Sequence, residues 1–298
     1  MYVTLIALGS RGDVLPALTL GKALRGAGCQ VRVATMESMA GWVAECGLAL
    51  HPIRGDIQAM LQSGAGQALA ASGRSVPRMA LAVMRMFRDL AAGYAQDMAG
   101  LAGLETDLIV NQLPGALYGY DLAEKLGVPM VAMAVMPLVP SAATPMLAFP
   151  AALAPLPGYN LGTHWLAYQI VWQIFRRPID RWRKETLGLA GAPFWGVFDE
   201  TRRRIPVLNG FSAHLVPRAP DWGAQVHVTG YWFPEEPAWQ PPAGLARFVE
   251  AGPPPVFVGF GSMPMRDPAR TTRTVLDALA WSGQRAILGA GWGGVGRG

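Results

Sequence analysis

The chain has 298 residues, 51% of them hydrophobic and only 15% charged, which is enough apolar material for one large or two ordinary folded domains and too much for a disordered chain. Glycine (36) and proline (25) are plentiful, as expected for tight turns between buried elements. The net charge of +5 rests on arginine, since Lys22, Lys125 and Lys184 are the only lysines, and a GC-rich genome accounts for that bias more readily than a phosphate or carboxylate ligand does.

VTLIALGS is a continuous apolar run, the habit of a parallel strand covered on both faces. A helix is expected next, with Ala17, Leu20, Gly21, Leu24 and Ala27 on one stripe and Gly28 as its left-handed terminator, before QVRVAT resumes as a strand. GLALHPI reads as a third strand. Residues 55–77, rich in Gly, Ser and Ala, read as a mobile loop or short helices of the kind that face ligands, and residues 77–102 as a helix. TDLIVNQ is a strand, LYGYDLAEKLG a helix and VPMVAMAV a strand again. This alternation argues for a doubly wound α/β domain.

Residues 128–158 contain seven prolines, so they read as a buried strand and an irregular apolar loop rather than a membrane span. LGTHWLAYQIVWQIFRRPIDRWRKETLGL follows as one or two helices, apolar and then basic. Its Arg176, Arg177, Arg181 and Arg183 read as a solvated face in preference to an anionic surface site, and no aromatic–basic interleaving of nucleic-acid type is present. Seven further prolines in residues 231–255 mark a linker. The expected organisation is a first domain at 1–235, a linker at 236–254 and a second domain at 255–298.

The opening theme returns in VFVGFGSMPMRDPARTTRTVLDALAWSGQRAILGAGWGG. Gly9-Ser10 corresponds to Gly261-Ser262, and the following strand starts after Gly28 in one copy and Gly283 in the other, spacings of 19 and 22 residues. Two nucleotide-fold domains in tandem are therefore expected. The second spans only 44 residues, too few to enclose a core, so it is expected to be incomplete. Cys29 and Cys46 form no CxxC pair and the four histidines show no ligand spacing, so no metal site is expected. No basic segment precedes the first strand, no secretory signal is read, and the expected compartment is the cytoplasm.

Chemistry concentrates at GSRGDVLP. A Gly-rich turn feeding a helix favours anionic groups, Arg11 would reinforce this, and Asp13 would stand at the carboxyl edge of the sheet. Asp is also a preferred N-cap and Pro16 belongs in a first turn, so capping and catalysis both remain open for Asp13. Gly9 and Gly12 do not fit the GxGxxG template, which counts against a nicotinamide oxidoreductase.

GSRGDVLPALTLGKALRGAGCQVRVAT, DLIVNQ, LVPRAPDWGAQVHVTGYWF and PPVFVGFGSMPMRDP together resemble the sterol and glycopeptide-antibiotic branch of the family-one glycosyltransferases. The resemblance implies a GT-B fold, with a Rossmann-like acceptor domain followed by an incomplete second Rossmann-like domain for the sugar nucleotide. It implies an inverting transfer, with no metal and no cofactor, of a hexosyl group such as glucose from a UDP- or dTDP-sugar to a hydrophobic alcohol. Asp13 holds the position of the general base; Ser10, Arg11 and Gly12 would lie near the diphosphate, and Gly261 and Ser262 on the nucleotide side. Relatives outside this branch carry a His in place of Asp13, oriented by an Asp whose position here is Gln112. Family segments that hold the base and diphosphate lie beyond Gly298, so the chain alone is expected to bind sugar nucleotide poorly. The implied partners are the acceptor alcohol (a sterol, terpenoid, polyketide or lipid-like molecule) and the nucleotide sugar, with no nucleic acid and with room for peripheral membrane contact. The alternative is a non-catalytic binding module that keeps the acceptor cleft and docks a partner through the second domain.

Overall fold

The computed structural model describes residues 1–64, 66, 68, 93–112, 117–147, 149–196, 204–234, 239–263, 265, 267–294 and 296. The chain divides into two compact units, Met1–Ile57 with Arg74–Pro234 and Gln58–Gly73 with Glu235–Gly298. The elements run β1 (Tyr2–Ile6), α1 (Arg11–Gly26), β2 (Gln30–Met36), α2 (Ala40–Glu45), β3 (Ala49–Ile53), α3 (Ile57–Gln62), β4 (Leu108–Gln112), α4 (Leu117–Leu126), β5 (Met130–Ala134), α5 (Tyr159–Trp182), β6 (Val207–Asn209), β7 (Val226–Val228), α6 (Ala243–Glu250), β8 (Val256–Gly259), α7 (Pro268–Ser282) and β9 (Ala286–Gly289). Most of the segment expected as a loop at 55–77 and a helix at 77–102 lies outside the described residues; within it, 57–62 and 93–101 are helical.

The first unit is a seven-stranded, wholly parallel sheet in the order β3-β2-β1-β4-β5-β6-β7. Its central strands are apolar on both faces because helices cover both: Leu5, Ile6, Val33, Ile109 and Met133 are all fully buried. The strand order reverses between β1 and β4, the place where open α/β sheets leave a crevice at their carboxyl ends. Register fixes the faces. Leu5 pairs with Val33 and Val110, so by the two-residue period Gln112 shares their face and Asn111 takes the other.

α1 lies on the Leu5 face, and Gly21 permits its close approach, since a Cβ there would come within 2.8 Å of Leu5 Cδ1 and 2.9 Å of Leu48 Cδ1. Gly28 ends the helix with φ +89°. β6 and β7, each three residues long, extend the sheet beyond the strands expected from the sequence and carry a second small core of Ala132, Val139, Val207, Phe211, Trp222 and Val226. No helix among the described residues is long and apolar enough to cross a membrane.

In the second unit β8 and β9 pair in parallel on either side of α7 in the chain. Asp267 caps α7 by accepting from the Arg270 N–H at 2.9 Å, and Pro268 occupies the first helical position. No described residue from 239 to 294 is buried; Phe257 is 70% and Trp281 90% exposed.

α5 continues as a π-helical turn, Arg183–Leu187, ended by Gly188 at φ +66°. Here the solvated-face reading of the arginines needs correction at one position. Arg183 is buried, because with Phe175, Ile179 and Trp182 it falls on the core-facing stripe at helical spacing. Its guanidinium pairs with the buried Asp121 carboxylate, with Glu124 at 2.9 Å and, through Nε, with the Ala190 carbonyl at 2.8 Å. Burial pushes Asp121 up to about 6 against the pull of Arg183.

Removing one member of a buried ion pair leaves an uncompensated charge, so Arg183→Leu is expected to lose about 3–5 kcal/mol in urea unfolding. Asp121 has a folded pKa above its ordinary value, so folding favours its protonated form. That contribution is full below pH ~4, the ordinary carboxylate range, and is lost as pH rises through about 6. Asp121→Asn should flatten this part of the stability–pH profile.

Candidate functional site

At the end of β1 the chain turns at Gly9 and Ser10 into α1, and Asp13 folds back onto that turn. Ser10 is the helix N-cap, and the helix starts at Arg11, three residues earlier than an Asp13 cap would require; Pro16 therefore lies inside it. Asp13, the third helical residue, completes a capping box: its Oδ2 accepts from the Ser10 backbone N–H at 2.8 Å and from Ser10 Oγ at 3.0 Å. The negative charge also lies at the favourable end of the helix dipole.

Gly9 makes room for this. A Cβ at Gly9 would sit 2.4 Å from Asp13 Oδ2 and 2.6 Å from its Cγ, and the residue has φ +146°, a conformation open to glycine and strained for other residues. The space that a side chain would take holds the carboxylate.

The second oxygen faces another strand. Gln112, last residue of β4 and on the α1 face, donates from Nε2 to Asp13 Oδ1 at 3.4 Å. The Gln112 side chain is almost fully buried, and its Oε1 has no hydrogen-bond partner among the described residues. Its neighbour Asn111 lies on the opposite face against Gly119 of α4, where a Cβ would approach the Asn111 amide to 2.5 Å. Asp13 itself is half-buried, open enough to meet a ligand and fixed by two partners.

Ser10 and Asp13 are thus brought together, joined by Gln112. Arg11 points elsewhere, with its guanidinium 5.2 Å from the centre of the Trp42 ring, a cation–π contact that nothing in the local sequence signals. Gly12 is exposed in the first turn of α1. Gly261 and Ser262 belong to the second unit, in the turn after β8. Gly261 has φ +57°, and its carbonyl accepts from the Trp292 N–H at 2.9 Å. That approach explains GAGWGG, since a Cβ at Gly291 would fall 2.2 Å from the Gly261 oxygen.

The apolar loop between β5 and α5 is held by polar staples. Asp221 accepts from Ser141 Oγ and the Ala142 N–H, both at 2.7 Å, and Asn160 Nδ2 donates to the Ala142 carbonyl at 2.8 Å. Thr163 Oγ1 accepts from the Met146 N–H at 2.9 Å. With its backbone so fixed, the loop exposes Leu147, Leu153 and Leu156. A shallow cavity of about 320 Å³ lies beside it, lined by Val139, Pro140, Asp221, Trp222 and Gln225 among others; Asp13 is not among its lining residues.

Residues 3–145 match the glycosyltransferase family 28 N-terminal domain. A sterol 3-beta-glucosyltransferase of Arabidopsis thaliana is 32% identical over 305 residues, covering 99% of this chain and 48% of its own length. One from Cryptococcus neoformans var. neoformans is 32% identical over 312 residues, covering 98% of this chain and 18% of its own. The chain therefore spans less than half the length of either relative. Among solved structures, the glycotransferase of kitacinnamycin superposes with a TM-score of 0.54 at 17% identity, over 96% of this chain and 64% of that one. A glycosyltransferase of Streptomyces sp. SF2575 complexed with thymidine diphosphate gives 0.51 at 20% identity, over 95% and 64%. The fold is that of the GT-B glycosyltransferases, with the seven-stranded unit as its Rossmann-like domain.

Loss of a capping side chain costs about 1 kcal/mol, so Asp13→Ala should lower stability by that amount whatever the residue does in chemistry. Gly9→Ala must both displace the carboxylate and adopt a strained φ, and should cost more. Parallel urea melts of the two variants measure the order.

Proposed function

We propose that this chain, whose residues 3–145 match the glycosyltransferase family 28 N-terminal domain, is part of an inverting glycosyltransferase. It moves a hexosyl group, glucose in the first instance, from a UDP- or dTDP-sugar to a hydroxyl of a sterol-like or otherwise lipophilic acceptor. The observation that carries this reading is the division of labour within one carboxylate. Asp13 Oδ2 is occupied by both donors of Ser10, while Oδ1 meets only the Gln112 amide among the described residues.

In this reading Asp13 Oδ1 takes the proton of the acceptor hydroxyl as its oxygen bonds to the anomeric carbon, and the bond from that carbon to the diphosphate breaks on the opposite face. The nucleoside diphosphate leaves with the electron pair. Gln112 is a positioning residue that holds Asp13 Oδ1. Ser10, Arg11 and Gly12 serve the diphosphate at the N-terminus of α1, where free N–H groups and the helix dipole favour anions, for which Arg11 must leave Trp42. Gly261 and Ser262 serve the nucleotide side. No metal or cofactor takes part in the proposed chemistry.

The acceptor class is supported by the names of the relatives and by the exposed leucines of the β5–α5 loop. We also propose that residues 255–298 are the beginning of a larger donor-binding domain, supported by the absence of any buried described residue from 239 to 294. A second reading, a module that docks a partner through this unit without transferring sugar, draws on the exposure of Phe257 and Trp281.

The test is sterol-dependent glucose transfer from UDP-glucose by this sequence continued through a complete donor domain. Asp13→Asn should lower turnover by about 10²–10⁴. Gln112→Leu should lower it by about tenfold with KM for the sterol little changed, since only the base is affected. Full turnover in Asp13→Asn would refute the base, and no transfer by the extended parent would favour the docking module.

A further inference from the structure

Building on the transferase reading, in which Arg11 serves the diphosphate, we propose that Trp42 is a positioning residue for the sugar donor. Its ring holds the Arg11 guanidinium in reserve, and the strength of that hold limits how tightly the donor binds. The guanidinium lies 5.2 Å from the centre of the Trp42 ring and, among the described residues, makes no hydrogen bond or ion pair. Arg11 is exposed, whereas Trp42 is half-buried and packs against the main core. Its neighbours Met39 and Val43 are buried, so the ring is the fixed partner and the arginine the movable one.

Topology makes the pair. β1 and β2 are parallel neighbours, and the helices that follow them, α1 and α2, both begin beyond the carboxyl ends of those strands. Arg11 is the first residue of α1 and Trp42 the third of α2. The Cα–Cβ bonds of a helix lean toward its N-terminus, so from the first position a long side chain reaches an anion seated on the free N–H groups ahead of it. A guanidinium on the indole is withheld from that anion.

A ligand that needs one state of a two-state side chain loses affinity in proportion to the fraction held in the other. A cation–π contact at an exposed site is strong enough to change that fraction by about two- to fivefold. Trp42 therefore weakens donor binding. The sign is diagnostic, because removing a residue that merely braced the site would weaken binding, whereas removing Trp42 strengthens it.

The experiment is calorimetric titration of UDP into this sequence continued through a complete donor domain. Arg11→Ala should weaken UDP binding by about tenfold or more, the loss of a charge-assisted contact with phosphate. Trp42→Leu should tighten it by about two- to fivefold, and Trp42→Phe should tighten it less, since a phenyl face still attracts the cation. In the Arg11→Ala background Trp42→Leu should have no effect on UDP. A second measurement needs no change at Trp42: the δ-methylene proton resonances of Arg11, assigned by their loss in Arg11→Lys, should be shifted upfield by the indole ring in the free protein and move back on addition of UDP. Unchanged or weaker UDP binding by Trp42→Leu with a parental melting temperature, tightening that persists without Arg11, or Arg11 protons unshifted in the free protein would overturn the proposal and leave the diphosphate role of Arg11 standing. Absence of UDP binding by the parent, or parental binding by Arg11→Ala, would overturn that role and the proposal with it.

Discussion

The missing side chain at residue 9 governs the carboxyl edge of the first sheet. Asp13 Oδ2 occupies the volume that a Cβ would fill, and from there it accepts from both donors of Ser10. Helix initiation and the placement of the acidic group are therefore one interaction. Of the two roles open to Asp13 when the sequence is read alone, capping falls to Oδ2, which closes the helix, while Oδ1 turns toward Gln112 and is the oxygen to which the proposed proton transfer is assigned.

The doubly wound domain was legible because its strands are apolar on both faces and its helices carry apolar residues at helical spacing. Contacts within GSRGD are local and lay within reach of the sequence, apart from the helix start, where Ser10 takes the cap expected of Asp13. Gln112 is different. Its residue type suggested only a missing carboxylate, and its amide reaches Asp13 through strand register, which a single sequence does not state. β6 and β7 are three residues each, too short for an alternation to register. Arg183 was legible in principle, since it continues the Phe175–Ile179–Trp182 stripe, but grouping it with its neighbours by charge obscured its place.

The two copies of the strand–Gly–Ser–Asp theme part ways after the turn. In the first, Ser10 caps the helix at once and the acidic residue folds back to the strand end. In the second, α7 starts only at Pro268, and Asp267 is spent as its cap, accepting from Arg270. In the first copy the carboxylate also meets the last residue of a strand, Gln112 of β4. Among its described residues the second copy buries none: its helix and both strands remain at least partly open to solvent.

A wholly parallel sheet has two unlike rims, and the first strand connects them directly. Tyr2, its backbone N–H held by the Asp107 carboxylate at 2.7 Å, is at the amino-terminal rim, with the exposed Met1 just beyond it. Asp13 stands at the other end of β1, on the order of 15–20 Å away at about 3.3 Å per residue. Any polypeptide joined ahead of Tyr2, whether a natural extension, a fluorescent reporter or an immobilisation handle, therefore emerges from the rim remote from the carboxylate.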